Sequence, residues 1–338
     1  MLLVKVTYLI IIWLFAGKFD QRVSPPTVSV VGKIFNSNLI KNWYNFSVSG
    51  DWLYVKESAD NPPVLSSTKK DNTDVVFDFD SQLISNDLFI SDHLRKHTKP
   101  DTDEEFGYYL AGLIEGDGYL GDRRIEIAFH IYDISSAYYI KKRIGYGSVL
   151  FLKGKNSVRY VLRHGVGLKK VFLLINGKLL GQPKIDQLIK RKYDEIYGKS
   201  ILPKASFDLL TNHWLAGFAD ADGSFGIFIN KSKTHKTGFN IVLPFRIKQK
   251  YPELLILVKE ALGGSVHQFK DNSYCYNSIN FKVAYNVANY FDKFHLLNAS
   301  KFINYLKWRK AYRIIQRKEH LTLEGLTKIR KLRENLRD

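Results

Sequence analysis

The chain has 338 residues, of which 45% are hydrophobic, and it carries a formal net charge of +18. This content is enough to bury the core of one large or two modest domains, and so strong a positive charge favours a polyanionic partner, nucleic acid first. The single cysteine, Cys275, excludes an internal disulfide and a thiolate zinc site.

The first hundred residues are predicted to form an N-terminal extension, with an apolar start followed by an acidic linker. The apolar run at 6–17 is too short for a membrane-spanning helix. Residues 51–105 contain six basic and thirteen acidic residues together with short Pro and Ser stretches, which is typical of a weakly ordered linker. The positive charge therefore lies mainly in the residues that follow.

Residues 106–118 form an apolar run with small residues inside it, closed by two carboxylates and a glycine. Thr102 and Glu105 ahead of this run make a capping-box pattern, which predicts the start of a helix. Gly118 is predicted to be the left-handed residue just past the end of that helix. The helix is therefore expected to end at Asp117.

The region after this helix is predicted to form two β-hairpins separated by a helix. Apolar residues alternate with polar ones over 124–131, and this period of two indicates a half-buried strand. The elements expected next are a helix at 133–144, strands at 148–152 and 158–163, and helices at 168–180 and 185–197.

The same order of elements recurs after residue 211. Residues 212–223 repeat the apolar run, with Thr211 or Asn212 as N-cap. Gly223, like Gly118, is predicted to be the left-handed residue just past the end of its helix. Pro244 cannot donate to a β-ladder and predicts a bulge or an edge. The elements expected are strands at 224–229 and 239–249, a helix at 252–262, strands at 265–269 and 274–282, a helix at 283–293 and a basic helical region at 301–337.

Small residues mark one face of each motif helix. Gly112 and Gly116 lie four residues apart, as do Gly217 and Ala221, and residues four apart share one face of a helix. A face without side chains lets two helix backbones approach closely. The expected partner of each motif helix is therefore the other one.

Asp117 and Asp222 fall at the C-termini of the two predicted helices. The helix macrodipole disfavours an anion there by a few tenths to ~1 kcal/mol. If the helices pack together, the two carboxylates also come close, which raises a pKa or demands a counter-ion. A hard divalent cation with oxygen ligands would meet both demands, so the pattern predicts a metal site where the two halves join.

The two stretches resemble a known family signature. LAGLIEGDG at 110–118 and LAGFADADG at 215–223 are similar to the paired motifs of the LAGLIDADG homing endonucleases in their single-chain, two-repeat form. The resemblance covers about residues 104–315. It implies an α+β fold of two pseudo-symmetric α-β-β-α-β-β-α repeats, 101–200 and 201–338, joined at paired motif helices, with antiparallel sheets that form a DNA-binding saddle.

The resemblance also implies an activity and its cofactor. The chain is expected to be a monomeric, site-specific endonuclease that cuts both strands of a DNA target during intron homing. It would use two or three Mg²⁺ ions at the repeat interface and act in the mitochondrion, or alternatively the chloroplast. An N-terminal extension derived from an upstream exon fits such a protein. The metal-site residues implied are Asp117, Asp222, Gly116 and Ala221.

Further catalytic residues follow from the same resemblance. Lys184 and Lys301 stand at the lysine positions before the last helix of each repeat. Gln249 stands at the polar position near the end of the second strand, where the first repeat is expected to have His130 as a departure. Two further acids are weaker candidates that would instead support helix ends: Glu115 and Asp220.

The predicted sheets leave one face open for nucleic acid. Strands with one apolar face need helices on that face, and the opposite face is rich in basic and polar side chains. β-Ribbons can enter the major groove of DNA and read base edges, and the basic hairpin loop at 231–236 is expected to contact phosphates or a groove. The candidate DNA contacts are Arg124, His130, Arg159, Arg163, Lys231, Lys233, Arg246, Lys248, Tyr276 and Lys282.

Two other functions stay open at this point. One is an RNA maturase that assists splicing of its own group I intron RNA, and the other is a DNA-binding protein without cleavage. Two aspartates at positions that the helix dipole disfavours serve no purpose in a pure binder, so they favour a nuclease.

Overall fold

The structure of the protein is a computed structural model that describes residues 88–235 and 237–336. The apolar start and most of the acidic linker predicted for the first hundred residues lie outside these residues. No helix in the described part of the chain is long and apolar enough to span a membrane.

Helices and antiparallel strands alternate along the described residues. The helices are α1 Asp103–Asp117, α2 Ile134–Ile144, α3 Gly165–Ile175, α4 Gln182–Lys190, α5 Tyr193–Tyr197, α6 Trp214–Asp222, α7 Glu253–Leu262, α8 Phe281–Lys293, α9 Ala299–Gln316 and α10 Leu323–Glu334. The strands are β1 Gly118–Gly121, β2 Arg124–His130, β3 Ser148–Phe151, β4 Ser157–Leu162, β5 Gly223–Phe225, β6 Phe228–Lys231, β7 Phe239–Val242, β8 Phe245–Gln249, β9 Ser265–Gln268 and β10 Tyr274–Asn277.

Two four-stranded antiparallel sheets share one topology. Their strand orders are β1-β2-β4-β3 and β5-β8-β10-β9, and β6 and β7 form a separate two-stranded ribbon. Pro244 lies between β7 and β8, so the long return strand predicted at 239–249 is divided where an amide donor is missing. The predicted α+β fold of two α-β-β-α-β-β-α repeats is confirmed.

The predicted capping box opens α1. The hydroxyl of Thr102 accepts a hydrogen bond from the Glu105 amide at 3.1 Å, and the Glu105 carboxylate accepts one from the Thr102 amide at 3.3 Å. The second motif helix, α6, begins at Trp214, whose amide donates to Asn212 Oδ1 at 2.9 Å. The predicted cap of α1 is therefore confirmed, whereas the N-cap of α6 is His213, one residue after Asn212.

The motif helices α1 and α6 pack backbone against backbone. A Cβ atom added at Gly112 would lie 1.9 Å from the Trp214 carbonyl oxygen, and one added at Gly217 would lie 2.0 Å from the Tyr109 carbonyl oxygen. These distances leave no room for a side chain at either glycine. The prediction that each motif helix packs against the other is confirmed.

Gly118 and Gly223 end the motif helices in extended backbone, with φ of −85° and −75°. The prediction of a left-handed residue at these positions is wrong. Each glycine instead begins a strand and lies close to the last turn of its helix. A Cβ at Gly118 would lie 2.6 Å from the Ile114 Cα, and one at Gly223 would lie 2.6 Å from the Ala219 carbonyl oxygen. Close approach, not a positive φ, requires glycine here.

Residues 88–100 lie along α9, although the sequence assigned them to a linker. The amide of Ile90 donates to Gln316 Oε1 at 2.9 Å, and the Tyr312 hydroxyl donates to the Leu88 carbonyl at 2.9 Å. Further along, the Thr98 amide donates to the His295 ring at 3.1 Å. Residues 88–98 therefore pack against the second repeat, whereas the Pro100 carbonyl accepts hydrogen bonds from Tyr139 and Arg143 of the first repeat.

Candidate active site

The two aspartates predicted as metal ligands come together at the adjoining ends of α1 and α6. A Cβ added at Gly116 would lie 2.4 Å from Asp222 Oδ2 and 2.3 Å from the Ala221 Cβ. Asp117 is open to solvent and Asp222 is partly so. The structure thus gathers all four predicted metal-site residues into one place that a ligand can reach.

The surroundings disfavour negative charge on both aspartates. Desolvation by the surrounding protein, and then the Asp222 charge, raise the pKa of Asp117 to about 6. Desolvation also raises the pKa of Asp222, opposed by the Gln249 hydrogen bond and by two lysines. A bound cation would relieve this unfavourable charge, and the metal site at these two aspartates stays a prediction.

One lysine from each half lies beside the aspartates. Lys184, in the first turn of α4, donates through Nζ to the Gly118 carbonyl at 2.5 Å. Lys301, in the first turn of α9, donates to the carbonyls of Ala221 at 3.2 Å and Gly223 at 2.5 Å. Both ammonium groups therefore bind the backbone at the end of the motif helix in their own repeat.

Gln249 lies at the end of β8, and its side-chain amide donates to Asp222 Oδ2 at 2.6 Å. This contact fixes one carboxylate oxygen of Asp222 and leaves the other free to bind a ligand. The sequence-predicted set of two aspartates, two lysines and one glutamine is therefore brought together, while the catalytic role of each remains a prediction.

The register of the two sheets identifies the counterpart of Gln249 in the first repeat. The glycine after each motif pairs with Ile127 in one sheet and with Ile247 in the other. Two residues further along stand Phe129 and Gln249. The prediction of His130 as the counterpart is wrong, because His130 lies on the exposed face of β2 whereas Phe129 is buried.

The first acid of each motif supports the helix that carries the lysine. Glu115 Oε1 accepts hydrogen bonds from the amides of residues 180–181, just before α4, each at 2.8 Å. Asp220 accepts bonds from the amides of residues 297–298, just before α9, at 2.7 and 3.2 Å. Burial raises the pKa of each acid to about 7. The expectation that these two acids support helix ends is confirmed.

The donors at this site suit a hard cation. They are two carboxylates and nearby main-chain carbonyls, and the described residues contain no cluster of three His, Cys, Asp or Glu side chains that could hold a metal. Mg²⁺ commonly takes one or two carboxylates, keeps several waters and completes its shell with substrate phosphate oxygens. The residues present therefore fit such an ion, and Asp117 and Asp222 would be its protein ligands.

Comparison with known proteins identifies the family. The sequence profile described as LAGLIDADG endonuclease matches residues 215–312. An uncharacterized cox1 intron-2 protein of 37.2 kDa from Schizosaccharomyces pombe is 45% identical over 250 residues, which cover 72% of this chain and 76% of that protein. The chain belongs to the LAGLIDADG endonuclease family.

Two further similarities bear on this LAGLIDADG protein. The intron-encoded RNA maturase bI4 of Saccharomyces cerevisiae is 25% identical over 300 residues, which cover 82% of this chain but only 45% of the maturase. The solved structure of I-SmaMI bound to an uncleaved DNA target in the presence of calcium ions matches with a TM-score of 0.55 and 21% identity, over 68% of this chain and 98% of that one. The second similarity shows a shared fold.

The open faces of the LAGLIDADG sheets carry most of the predicted DNA contacts. Arg124 and Arg159 lie on the first sheet, where both contact Glu126. On the second sheet, the guanidinium of Arg246 lies 4.7 Å from the centre of the Phe228 ring, and Lys248 forms an ion pair with Asp271 at 3.1 Å. The remaining exposed candidates are His130 at the end of β2, Arg163 just beyond β4, Lys231 at the end of β6 and Lys233 in the following loop.

Two predicted DNA contacts are wrong in their placement. Tyr276 pairs with Ile247 on the apolar face of β10 and is 0% exposed, so it belongs to the core. Lys282 lies in the first turn of α8, because β10 ends at Asn277 and not at residue 282. Neither residue lies on the open face of a strand.

Sequence reasoning missed two residues that contact the predicted DNA-binding arginines: Glu126 on the open face of the first sheet and Phe228 on the β6–β7 ribbon. Glu126 lies two residues after Arg124 in β2, so the period of two places both on the same face. It was not predicted as part of the DNA-binding face because an acid repels phosphates. Phe228 is exposed and supports Arg246. The only sign of this in the sequence was an aromatic residue at an exposed position of the strand.

Proposed function

We propose that this chain is a site-specific, double-strand DNA endonuclease that acts as a monomer in intron homing. The observation that carries the proposal is the meeting of Asp117 and Asp222, one from each repeat, at solvent-accessible helix ends. Repeats 101–200 and 201–338 would each present one aspartate and one lysine. A single chain would thereby supply two related sites, as cleavage of two antiparallel strands requires.

The chemistry follows from the residues at these sites. A divalent cation such as Mg²⁺, when bound, supplies stabilisation of phosphorane charge and an acidified water. Asp117 and Asp222 would hold the cation in place, and the Gln249 amide orients the Asp222 carboxylate. Lys184 and Lys301 place positive charge where negative charge develops on the phosphate. The I-SmaMI complex with DNA and calcium ions supports a divalent cation and a DNA partner.

The open sheet faces supply the binding surface. Exposed basic side chains on adjacent strands suit the phosphates and base edges of the major groove. The DNA contacts proposed after correction are Arg124, His130, Arg159, Arg163, Lys231, Lys233, Arg246 and Lys248. The name of the Schizosaccharomyces pombe relative refers to an intron of cox1, a mitochondrial gene, and supports a mitochondrial location.

A second candidate function is assistance in splicing of the chain's own group I intron RNA. The similarity to an intron-encoded RNA maturase over 82% of this chain favours it. The same net positive charge would serve an RNA partner. This function does not need the aspartate pair, so the two activities can be separated by mutation.

Cleavage of an intronless host-gene junction tests the proposal. A plasmid with this junction is incubated with the full chain in Mg²⁺, alongside Asp117→Asn and Asp222→Asn. We expect linear product from the wild type, and loss of double-strand cleavage with retained DNA binding in each variant. An intact plasmid together with tight binding of the intron RNA would favour the maturase, and full activity in either variant would refute the assigned site.

A further inference from the structure

An ionic cluster stands on the open face of the first sheet, apart from the aspartate and lysine groups. Glu126 on β2 contacts the Nε of Arg124 at 3.3 Å and the Nη1 of Arg159 on β4 at 3.2 Å. The two arginine side chains are 40% and 46% exposed, whereas that of Glu126 is 15% exposed. The Arg124 guanidinium also lies 5.7 Å from the centre of the Tyr119 ring. The carboxylate thus holds two solvent-facing guanidinium groups side by side.

The equivalent position in the second repeat carries the opposite charge. Ile127 and Ile247 are equivalent, because each pairs with the glycine after its motif. The residues just before them are Glu126 and Arg246, and both lie on the open faces. At the same place in two related sheets, one repeat therefore presents a negative and the other a positive side chain.

An acid on a DNA-binding face weakens binding to every sequence, because it repels phosphates and reduces the release of counterions. It can improve discrimination in return. A guanidinium has five N–H donors, so one bond to Glu126 leaves the donors needed for a bidentate contact with guanine O6 and N7. Arginines fixed before binding lose less side-chain entropy on contact and adapt less readily to phosphates or to another base.

We propose that Glu126 determines sequence specificity in the half-site bound by the first sheet, by holding Arg124 and Arg159 in position to read guanine. This inference rests on the proposed DNA-binding function. Glu126 is a positioning residue here: it acts through the two arginines, lowers affinity for unrelated DNA and sharpens the preference for guanine. The second sheet, with Arg246 at the equivalent position, lacks this arrangement.

Selection from a randomised DNA duplex library, in EDTA to prevent cleavage, tests the proposal with the full chain. The wild type should recover a site with guanine preferred where the two arginines bind, and replacing that guanine should weaken binding roughly tenfold. In Glu126→Gln, replacing the same guanine should leave binding almost unchanged. The base preferences in the other half-site should stay as they are in the wild type. The affinity of this variant for a scrambled duplex should be higher than that of the wild type. It should also decrease more steeply as the salt concentration rises, because the released arginines can contact phosphates.

Two further variants separate positioning from charge. Glu126→Asp keeps the charge but shortens the side chain, so it should lose the guanine preference without gaining affinity for scrambled DNA. Glu324→Gln removes an exposed acid paired with Lys328 on α10 and should leave every preference unchanged.

The outcomes distinguish this inference from the function on which it rests. A wild type that recovers no sequence at all overturns the proposed function. A wild type with a clear site, and a Glu126→Gln variant with the same guanine preference, overturns the inference alone. Loss of preference across both half-sites in Glu126→Gln would show a general structural role and would also overturn it.

Discussion

Gln249 and Phe129 occupy equivalent positions in the two sheets, but only Gln249 hydrogen-bonds a motif aspartate. The Gln249 amide lies 2.6 Å from Asp222 Oδ2, whereas Phe129 is 4% exposed and contributes to the core. The two halves of the site therefore differ in how each aspartate is oriented. An asymmetric chain can in this way present two unequal catalytic centres to the two DNA strands.

Gln249→Leu should slow the cutting of one DNA strand more than the other. Loss of the amide frees the Asp222 carboxylate to rotate, and we expect a reduction of roughly tenfold or more in the rate at that strand. A duplex labelled differently on each strand reports the two rates. Glu324→Gln, at an exposed position on α10, is the control and should leave both rates nearly unchanged. Equal slowing of both strands would contradict the unequal roles.

Gly112→Ala should destabilise the protein strongly. The new Cβ would lie 1.9 Å from the Trp214 carbonyl oxygen, so α1 and α6 must separate. We expect the free energy of unfolding to fall by about 3 kcal/mol, measured by denaturant titration.

Gly165→Ala is the matched control for the motif-helix substitution. Gly165 begins α3, and a Cβ there meets no atom within 4 Å. We expect the free energy of unfolding to stay the same or to rise by up to ~1 kcal/mol, because alanine costs less backbone entropy in a helix. Equal effects of the two substitutions would show that the helix contact does not limit stability.

The sequence was sufficient to predict the features that depend on local pattern. A duplicated motif with small residues four apart predicted the pair of helices, and the capping box predicted where α1 begins. The alternation of β2 placed Ile125 and Ile127 on the buried face. Each of these inferences needs only neighbouring residues in one element.

Features that depend on pairing between strands could not be predicted in this way. Phe129 and His130 are adjacent, and a shift of one residue moves a side chain to the other face, so only the observed register decides which one matches Gln249. Tyr276 lies in a short strand that lacks polar–apolar alternation, so its face was ambiguous. Gly118 illustrates a third limit, because a glycine can serve either a positive φ or a close contact.

Glu115→Ala should lower the free energy of unfolding by roughly 2–4 kcal/mol, because two buried amide donors before α4 lose their acceptor. Cleavage should slow as well, since α4 carries Lys184. Glu104 is exposed and lies on α1, as Glu115 does. Glu104→Gln should change the free energy of unfolding by less than about 0.5 kcal/mol. Denaturant titration and strand-cleavage rates check both variants.

Glu115→Gln should show a distinctive pH dependence. The pKa of Glu115 is raised from 4.5 to about 7, so the folded state holds this proton more tightly than the unfolded chain does. The wild type therefore loses stability from this group as pH rises from about 4.5 to about 7, and the amide variant does not. The difference in the free energy of unfolding, variant minus wild type, should therefore be larger at pH 8 than at pH 5. No change in that difference would contradict the burial of an ionisable group.

Stabilisation by Mg²⁺ should depend on pH through Asp117. The pKa of Asp117 is raised from 3.8 to about 6, so in the metal-free protein its contribution to stability is complete below pH 3.8 and lost as pH rises through 6. A cation needs the deprotonated carboxylates, so it should bind best above pH 6. At a concentration one hundred times its Kd, the ion should add about 2.7 kcal/mol at pH 8 and much less at pH 5.

Thermal unfolding with and without Mg²⁺ measures this effect, and two variants assign it. Asp117→Asn should remove most of the stabilisation at pH 8, because one of the two carboxylate ligands is lost. Asp271→Asn, an exposed acid in the turn between β9 and β10 whose pKa is lowered by its Ser273 and Lys248 contacts, should retain it. An equal shift in melting temperature at pH 5 and pH 8, or a full shift in Asp117→Asn, would place the cation elsewhere.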